Sequence, residues 1–136
     1  QNSGAPLADD ASINIVFAAG PGVYPHLSIG SFCGGDAELF LYEGASSTGG
    51  TSFTPIARNR QSTNTSDVAM VTNPTVTATG VNLLTEFLPG GAKKKAGGGG
   101  GDSSEYLLKP LTNYLVRLLN VSGAAQIAEI TLEWYE

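Results

Sequence analysis

The chain has one cysteine and one histidine in 136 residues. A single cysteine, Cys33, excludes an intrachain disulfide, and a single histidine, His26, excludes a His-rich metal site. Charge is also scarce, at 14% of residues against about a quarter in an average soluble domain. Basic residues are the scarcer kind, with seven Lys and Arg against twelve Asp and Glu and a net charge of −5. That balance argues against a nucleic-acid partner, which calls for a basic face. No apolar run approaches the roughly 20 residues that cross a bilayer as a helix, so no membrane partner is expected. Residues 1–12 (QNSGAPLADDAS) lack the basic start and apolar stretch of a secretory signal. The expected compartment is therefore the inside of a cell, or a particle assembled there.

The groups that carry chemistry are isolated. His26 lies between Pro25 and Leu27 with no Cys, Asp or Glu at ligand spacing, and reads as a surface or turn histidine. Cys33 follows Phe32 and precedes two glycines, the setting of a buried, inert thiol. No nucleophile elbow is present. The carboxylates are scattered, with Asp9 and Asp10 in the polar start and Glu129 and Glu133 on one face of the last apolar segment. Gly97 to Gly101 form a run of five glycines, but no strand leads into a GxxxxGK[ST] sequence. No enzymatic activity, cofactor or metal is expected. The sequons at Asn64-Thr65-Ser66 and Asn120-Val121-Ser122 are chance matches for a chain with no sign of secretion.

What the chain does have is short alternating segments between turns. Ile13, Ile15 and Phe17 alternate, as do Leu39 and Leu41 against Phe40 and Tyr42. In the last segment Ala128, Ile130, Leu132 and Trp134 fall on one face, opposite Glu129, Thr131, Glu133 and Tyr135. Period two with one polar face predicts sheets with one side against a core. Turn clusters at Gly20-Pro21-Gly22, Gly34-Gly35-Asp36, Gly44 to Gly50, Asn73-Pro74 and Ser122-Gly123 separate about eight short strands. The expected fold is an all-β sandwich, jelly-roll or immunoglobulin/fibronectin-like in connection. The helical exception is 81–88 (VNLLTEFL), with Val81, Leu84 and Leu88 at helical spacing ahead of Pro89-Gly90-Gly91.

The expected organisation is an extended N-terminal arm over 1–12 and a single domain over 13–136, with a flexible hairpin loop at 89–103. That loop holds no side chain able to fill a core and places Lys93, Lys94 and Lys95 together. It reads either as a solvated tip or as an arm that meets an acidic surface on a partner.

Leu108, Pro110, Thr112 and Tyr114 form a Leu-x-Pro-x-Thr-x-Tyr pattern similar to the tyrosine corner of fibronectin-type sandwiches. There the tyrosine ring packs under a chain corner and its hydroxyl meets backbone a few residues upstream. Wider segments carry a narrower likeness. They are Arg58-Asn59-Arg60-Gln61-Ser62-Thr63-Asn64-Thr65, Asn73-Pro74-Thr75-Val76-Thr77, Leu88-Pro89-Gly90-Gly91, the run from Leu108 to Leu118, Asn120-Val121-Ser122-Gly123-Ala124-Ala125, and the ending Trp134-Tyr135-Glu136. Together, over roughly residues 36–136, they resemble a family of small β-sandwich virion structural proteins of tailed bacteriophages. The ending is the most specific part.

The resemblance implies a capsid decoration or cement protein on the capsid exterior, assembled in the host cytoplasm. Its partner would be the major capsid protein, and it would self-associate, with a homotrimer favoured at three-fold lattice sites. The candidate partner-contact residues under that reading are Asp9, Asp10, Arg58, Arg60, Lys93, Lys94 and Lys95. A tail or fibre module that binds host-surface glycans is the competing expectation, with Tyr24 and Tyr135 as its free aromatics.

Overall fold

The computed structural model describes residues 5–90 and 105–136. The described residues are all-β, with no helix. Eleven strands run in order: β1 (Ser12–Ala19), β2 (His26–Cys33), β3 (Ala37–Glu43), β4 (Ser46–Thr48), β5 (Thr51–Phe53), β6 (Val68–Thr72), β7 (Thr75–Ala78), β8 (Val81–Leu88), β9 (Tyr106–Leu107), β10 (Asn113–Asn120) and β11 (Ala128–Tyr135). They form a six-stranded sheet of order β5-β6-β1-β10-β3-β8, a three-stranded sheet of order β11-β2-β9, and a two-stranded β4-β7 ladder. Every strand pairing is antiparallel. No helix of the described residues is long and apolar enough to cross a membrane.

Alternation decides which side chains are buried. Ile13, Ile15 and Phe17 of β1, Leu39 and Leu41 of β3, and Tyr114, Val116 and Leu118 of β10 point to one side of the large sheet. They share one buried cluster with Leu27 and Cys33 of β2 and with Ala128 and Ile130 of β11. The inner faces of both larger sheets thus build a single core, which apolar burial stabilises in proportion to area. Leu132 and Trp134 are partly buried against it, as their phase along β11 requires. On the other side of the large sheet, Val16 and Leu115 pack with Ala45, and Tyr42 and Val76 pack against them. This second cluster holds the β4-β7 ladder onto the sheet.

Two local expectations need correction. Residues 81–88 form β8, an edge strand paired with β3, in place of a helix. The register runs Leu41 opposite Leu84 and Tyr42 opposite Asn82, so Leu83 is an extra residue at a bulge. The extra residue breaks period two and leaves Val81, Leu84 and Leu88 at intervals that mimic a helical face. The second concerns Gly44 to Gly50, where the turn cluster encloses β4 and is followed directly by β5. Gly49 and Gly50 both have positive φ and send the chain from the β4-β7 ladder to the large sheet. A Cβ on Gly50 would stand 2.6 Å from Val71 Cγ1 and 2.9 Å from the Thr72 carbonyl oxygen, so the turn accepts no side chain.

The N-terminal segment is docked at Leu7. Leu7 belongs to the core cluster, and its backbone bridges Gln126 with N–H to O distances of 2.6 and 2.9 Å. The Gly97 to Gly101 run and Lys93, Lys94 and Lys95 lie outside the described residues.

Cys33 is buried at 1% exposure beneath the start of β11. A thiol reagent such as Ellman's reagent is expected to leave it unmodified in the folded protein and to titrate one thiol per chain in urea. Rapid modification without denaturant would show that this end of β2 opens locally.

Candidate interaction surface

Chemistry-bearing side chains fall into three small groups on the surface of the fold. The first is the chain corner between β9 and β10. Leu111 has φ of 55° and its N–H donates to the Ala19 carbonyl, turning the chain into β10. Tyr114 is 1% exposed, and its ring stacks on Phe17 at 5.8 Å between centroids. Its hydroxyl accepts the Lys109 N–H at 3.0 Å, five residues upstream, and donates to Glu43 Oε2 at 2.9 Å. Lys109 Nζ closes the group on Glu43 Oε1 at 2.7 Å. The Lys109 ammonium, and after it the Tyr114 hydroxyl, hold the Glu43 carboxyl below the usual carboxylate range. Glu43 raises Lys109 in return, and burial pushes the Tyr114 phenol up. The tyrosine-corner pattern is therefore realised. Its carboxylate partner comes from β3, 71 residues away, and no local pattern marks it.

The second group lies on the outer face of the small sheet. His26 stacks on Tyr135 at 4.5 Å, its Nδ1 is 3.1 Å from the tyrosine hydroxyl, and Glu105 Oε1 is 2.9 Å from the same nitrogen. The hydrogen bond to Glu105 raises the Tyr135 phenol. Sequence reasoning placed His26 on the surface, and it is indeed partly exposed, but at the start of β2 with two side-chain partners. Among the described residues no group of three or more His, Cys, Asp or Glu side chains is arranged to hold a metal ion.

The third group joins segments that are far apart in the chain. Residues 54–67 connect β5 to β6 without a strand residue, and all but half-buried Pro55 are exposed. Connections of this length without regular structure are uncommon and tend to be functional. Arg58 pairs with Glu133 on β11, and Ser66 Oγ donates to Glu136. Trp134 Nε1 donates to the Ser66 hydroxyl at 3.3 Å and to Glu136 Oε1 at 3.2 Å. The 54–67 loop is thus braced at Arg58 on β11 and at Ser66 on Trp134 and Glu136.

The candidate contact residues divide. Asp9 and Asp10 serve the opposite end of β11: Asp9 Oδ1 accepts the Gly123 N–H at 2.8 Å, and the Asp10 N–H donates to the Asn120 carbonyl at 2.9 Å with φ of 58°. They lie apart from Arg58 and Arg60. Among the described residues Arg58 is committed to Glu133, while Arg60 has no hydrogen bond or ion pair.

Two features escaped the sequence reading. Asn120 is wholly buried and acts as a polar hub. Its Nδ2 donates to the carbonyls of Leu7, Ala8 and Ala124 at 2.9, 3.1 and 2.8 Å, and its Oδ1 accepts the Ser122 N–H at 3.1 Å. A buried asparagine with every polar atom used cannot carry a glycan, which disposes of that sequon physically. The other is the row of exposed apolar side chains on β8, with Val81 at 64%, Leu83 at 42% and Phe87 at 56%. Its signal was the bulge-broken apolar spacing itself.

Comparison of the chain with family models, with curated proteins and with solved structures finds no match in any of the three.

Proposed function

We propose that this chain is a β-sandwich structural protein of a tailed-phage virion that decorates the capsid and stabilises its lattice through protein–protein contacts. The observation that carries the reading is the meeting of the 54–67 loop with the Trp134-Tyr135-Glu136 ending. Residues 58–65 of that loop and the ending belong to the resemblance and are separated in sequence, and the loop is braced on β11 by Arg58–Glu133 and on the ending by Ser66–Glu136. Such a loop suits adhesion: it is held from beneath while most of its side chains remain available. Many modest contacts repeated over a lattice add to large cooperative stabilisation. The proposed partner is the major capsid protein, with Arg60 and the Lys93–Lys95 segment supplying positive charge from an otherwise acidic chain.

Purified protein added to expanded capsids is expected to bind at fixed stoichiometry and to raise the capsid melting temperature, measured by differential scanning calorimetry. Protein that fractionates with tails when heads and tails are separated would overturn the reading. In that case the alternative, a tail or fibre module for host-surface glycans, rests on Tyr135, which is 60% exposed and stacked on His26, and on Tyr24 at 58%. A glycan array without capsids tests it.

A further inference from the structure

β2 is covered along only part of one edge. It pairs with β11 over its whole length, His26 to Cys33, but with β9 only at His26 and Leu27. The hydrogen-bond phase fixes which groups are left. The Gly34 N–H donates to the Ile127 carbonyl, and the Pro25 carbonyl accepts the Leu108 N–H. Along an antiparallel strand, consecutive residues bond to opposite neighbours. Even-numbered residues of β2 therefore bond to β11, and odd-numbered ones face the β9 side. Beyond Leu27 the odd positions are Ile29 and Ser31, and no β9 residue stands opposite either. The N–H and C=O groups of both have no partner among the described residues.

Burial breaks at the same place. Leu27, Ile29, Ser31 and Cys33 alternate along the core-facing row of β2. Leu27 and Cys33, at its two ends, are each 1% exposed, whereas Ile29 and Ser31 between them are only half-buried. The core is thinnest on this flank where β9 stops. Nothing in the stretch deters a neighbour: Ser28 to Phe32 hold no charge and no proline, and they pair with β11 without a bulge.

We propose that this opening binds an extended segment of a partner chain, which continues the line of β9 as an added strand on β2. Main-chain groups recognise main-chain groups, so the ligand is a peptide in β conformation, held by the N–H and C=O of Ile29 and of Ser31. An apolar side chain beside Ile29 extends the core, and the next residue along faces water. On a chain of net charge −5 the segment that binds best carries basic residues on that outer side. The chemistry of the segment stands whether or not the partner is a capsid protein.

The test is amide hydrogen exchange in the full chain, read residue by residue by NMR, with a short synthetic peptide of alternating valine and lysine as the probe. In the free chain the Ile29 and Ser31 amides are expected to exchange at least about tenfold faster than those of Ser28 and Gly30, which bond to β11. Saturating peptide is expected to remove that difference. A peptide with glutamate in place of lysine is expected to bind several-fold more weakly. Ser31→Pro removes an N–H that faces away from β11, so the β2–β11 ladder is kept while binding is expected to be lost; circular dichroism checks that the variant folds. The same loss is expected, with no change to the protein, when the peptide is methylated on its edge-facing backbone nitrogens. Ile29 and Ser31 amides already protected in the free chain, no protection gained at saturating peptide, or equal protection by the methylated peptide would each overturn the proposal whatever the capsid experiment returns.

Discussion

Replacing Asn120 by Asp is expected to cost on the order of 3–5 kcal/mol, a large fraction of the roughly 5–15 kcal/mol that holds a domain of this size folded. The side-chain nitrogen now serves three carbonyl oxygens, of Leu7, Ala8 and Ala124, at 2.8 to 3.1 Å. A carboxylate there removes both amide hydrogens and sets a negative oxygen against three acceptors in a site with no exposure to solvent. The Ser122 N–H still meets one oxygen, but nothing among the described residues offsets the charge set against three acceptors, so the folded protein favours the protonated acid. The aspartate of the variant is thus raised in the fold. The deficit against wild type is expected to shrink as pH falls through that raised value and to lose its charged part below about 3.9. Asn120→Ala keeps no charge but removes one of the two bonds that each of these carbonyls accepts and leaves the Ser122 N–H without its acceptor, and should cost about 1–3 kcal/mol with no such pH dependence. Urea unfolding of the three proteins at pH 7 and pH 4 separates these cases. Equal midpoints for wild type and Asn120→Asp at pH 7 would mean that the hub carries no weight. The segment most exposed to its loss is residues 7–11, tied to the domain by this side chain, by the Leu7–Gln126 bridge and by the Asp10 and Ala11 backbone bonds to Asn120.

The strands that bury one face were legible in the sequence because alternation is a direct record of burial. β1, β3 and β11 each show it, and the side chains expected to face inward do so, with Trp134 partly buried as the outermost member of its row, whereas β10 is buried on both faces at Leu115 and reads as a continuous apolar run. β4 and β5 were not legible. Three residues of Ser, Thr and Phe between glycines give no period, and what holds β5 in place is pairing with β6 across an exposed loop. β8 was misread for a different reason: its alternation exists but skips at Leu83, and a single skipped residue converts a period of two into spacings of three and four.

Of the surface groups, the corner was legible only in part. Proline, threonine and tyrosine at fixed offsets report a turn that must satisfy its own backbone, and that portion is local. Glu43 and Asn120 were invisible because their roles depend on which distant segment folds onto them, and a lone Glu or Asn carries no mark of its partner. The same holds for Arg58. Its partner Glu133 lies 75 residues on. Asp9 and Asp10 of the expected arm are both exposed, and Asp9 also accepts the Gly123 N–H, a partner no local pattern announces.

Tyr114→Phe removes one oxygen atom, and its expected cost of about 1–3 kcal/mol comes in two parts that pH can tell apart. The ring stays in place against Phe17, so the hydrophobic contribution is retained. The pH-independent part is the Lys109 N–H, which loses its acceptor at a tight corner. The pH-dependent part is Glu43. Its carboxyl is held below the ordinary value, first by Lys109 and then by Tyr114. A lowered carboxylate adds stability above its unfolded value of about 4.3, and that stability is lost as pH falls through the lower folded value. The phenylalanine variant lowers Glu43 less and has less to lose on acidification. The gap between wild type and variant in urea midpoint should therefore be widest near pH 7 and narrow below pH 4, stopping short of zero because the Lys109 N–H remains unpaired. On the alkaline side burial raises the Tyr114 phenol. The stability linked to its protonated form is present below about 10 and is lost as pH rises through the higher folded value. A gap that stays constant from pH 7 to pH 3 would assign the whole cost to the backbone bond and none to the carboxylate. Glu43→Gln is the complementary measurement: it keeps an acceptor for the tyrosine hydroxyl, removes the charge that Lys109 meets, and should abolish the acid-side change in the gap while leaving the corner closed.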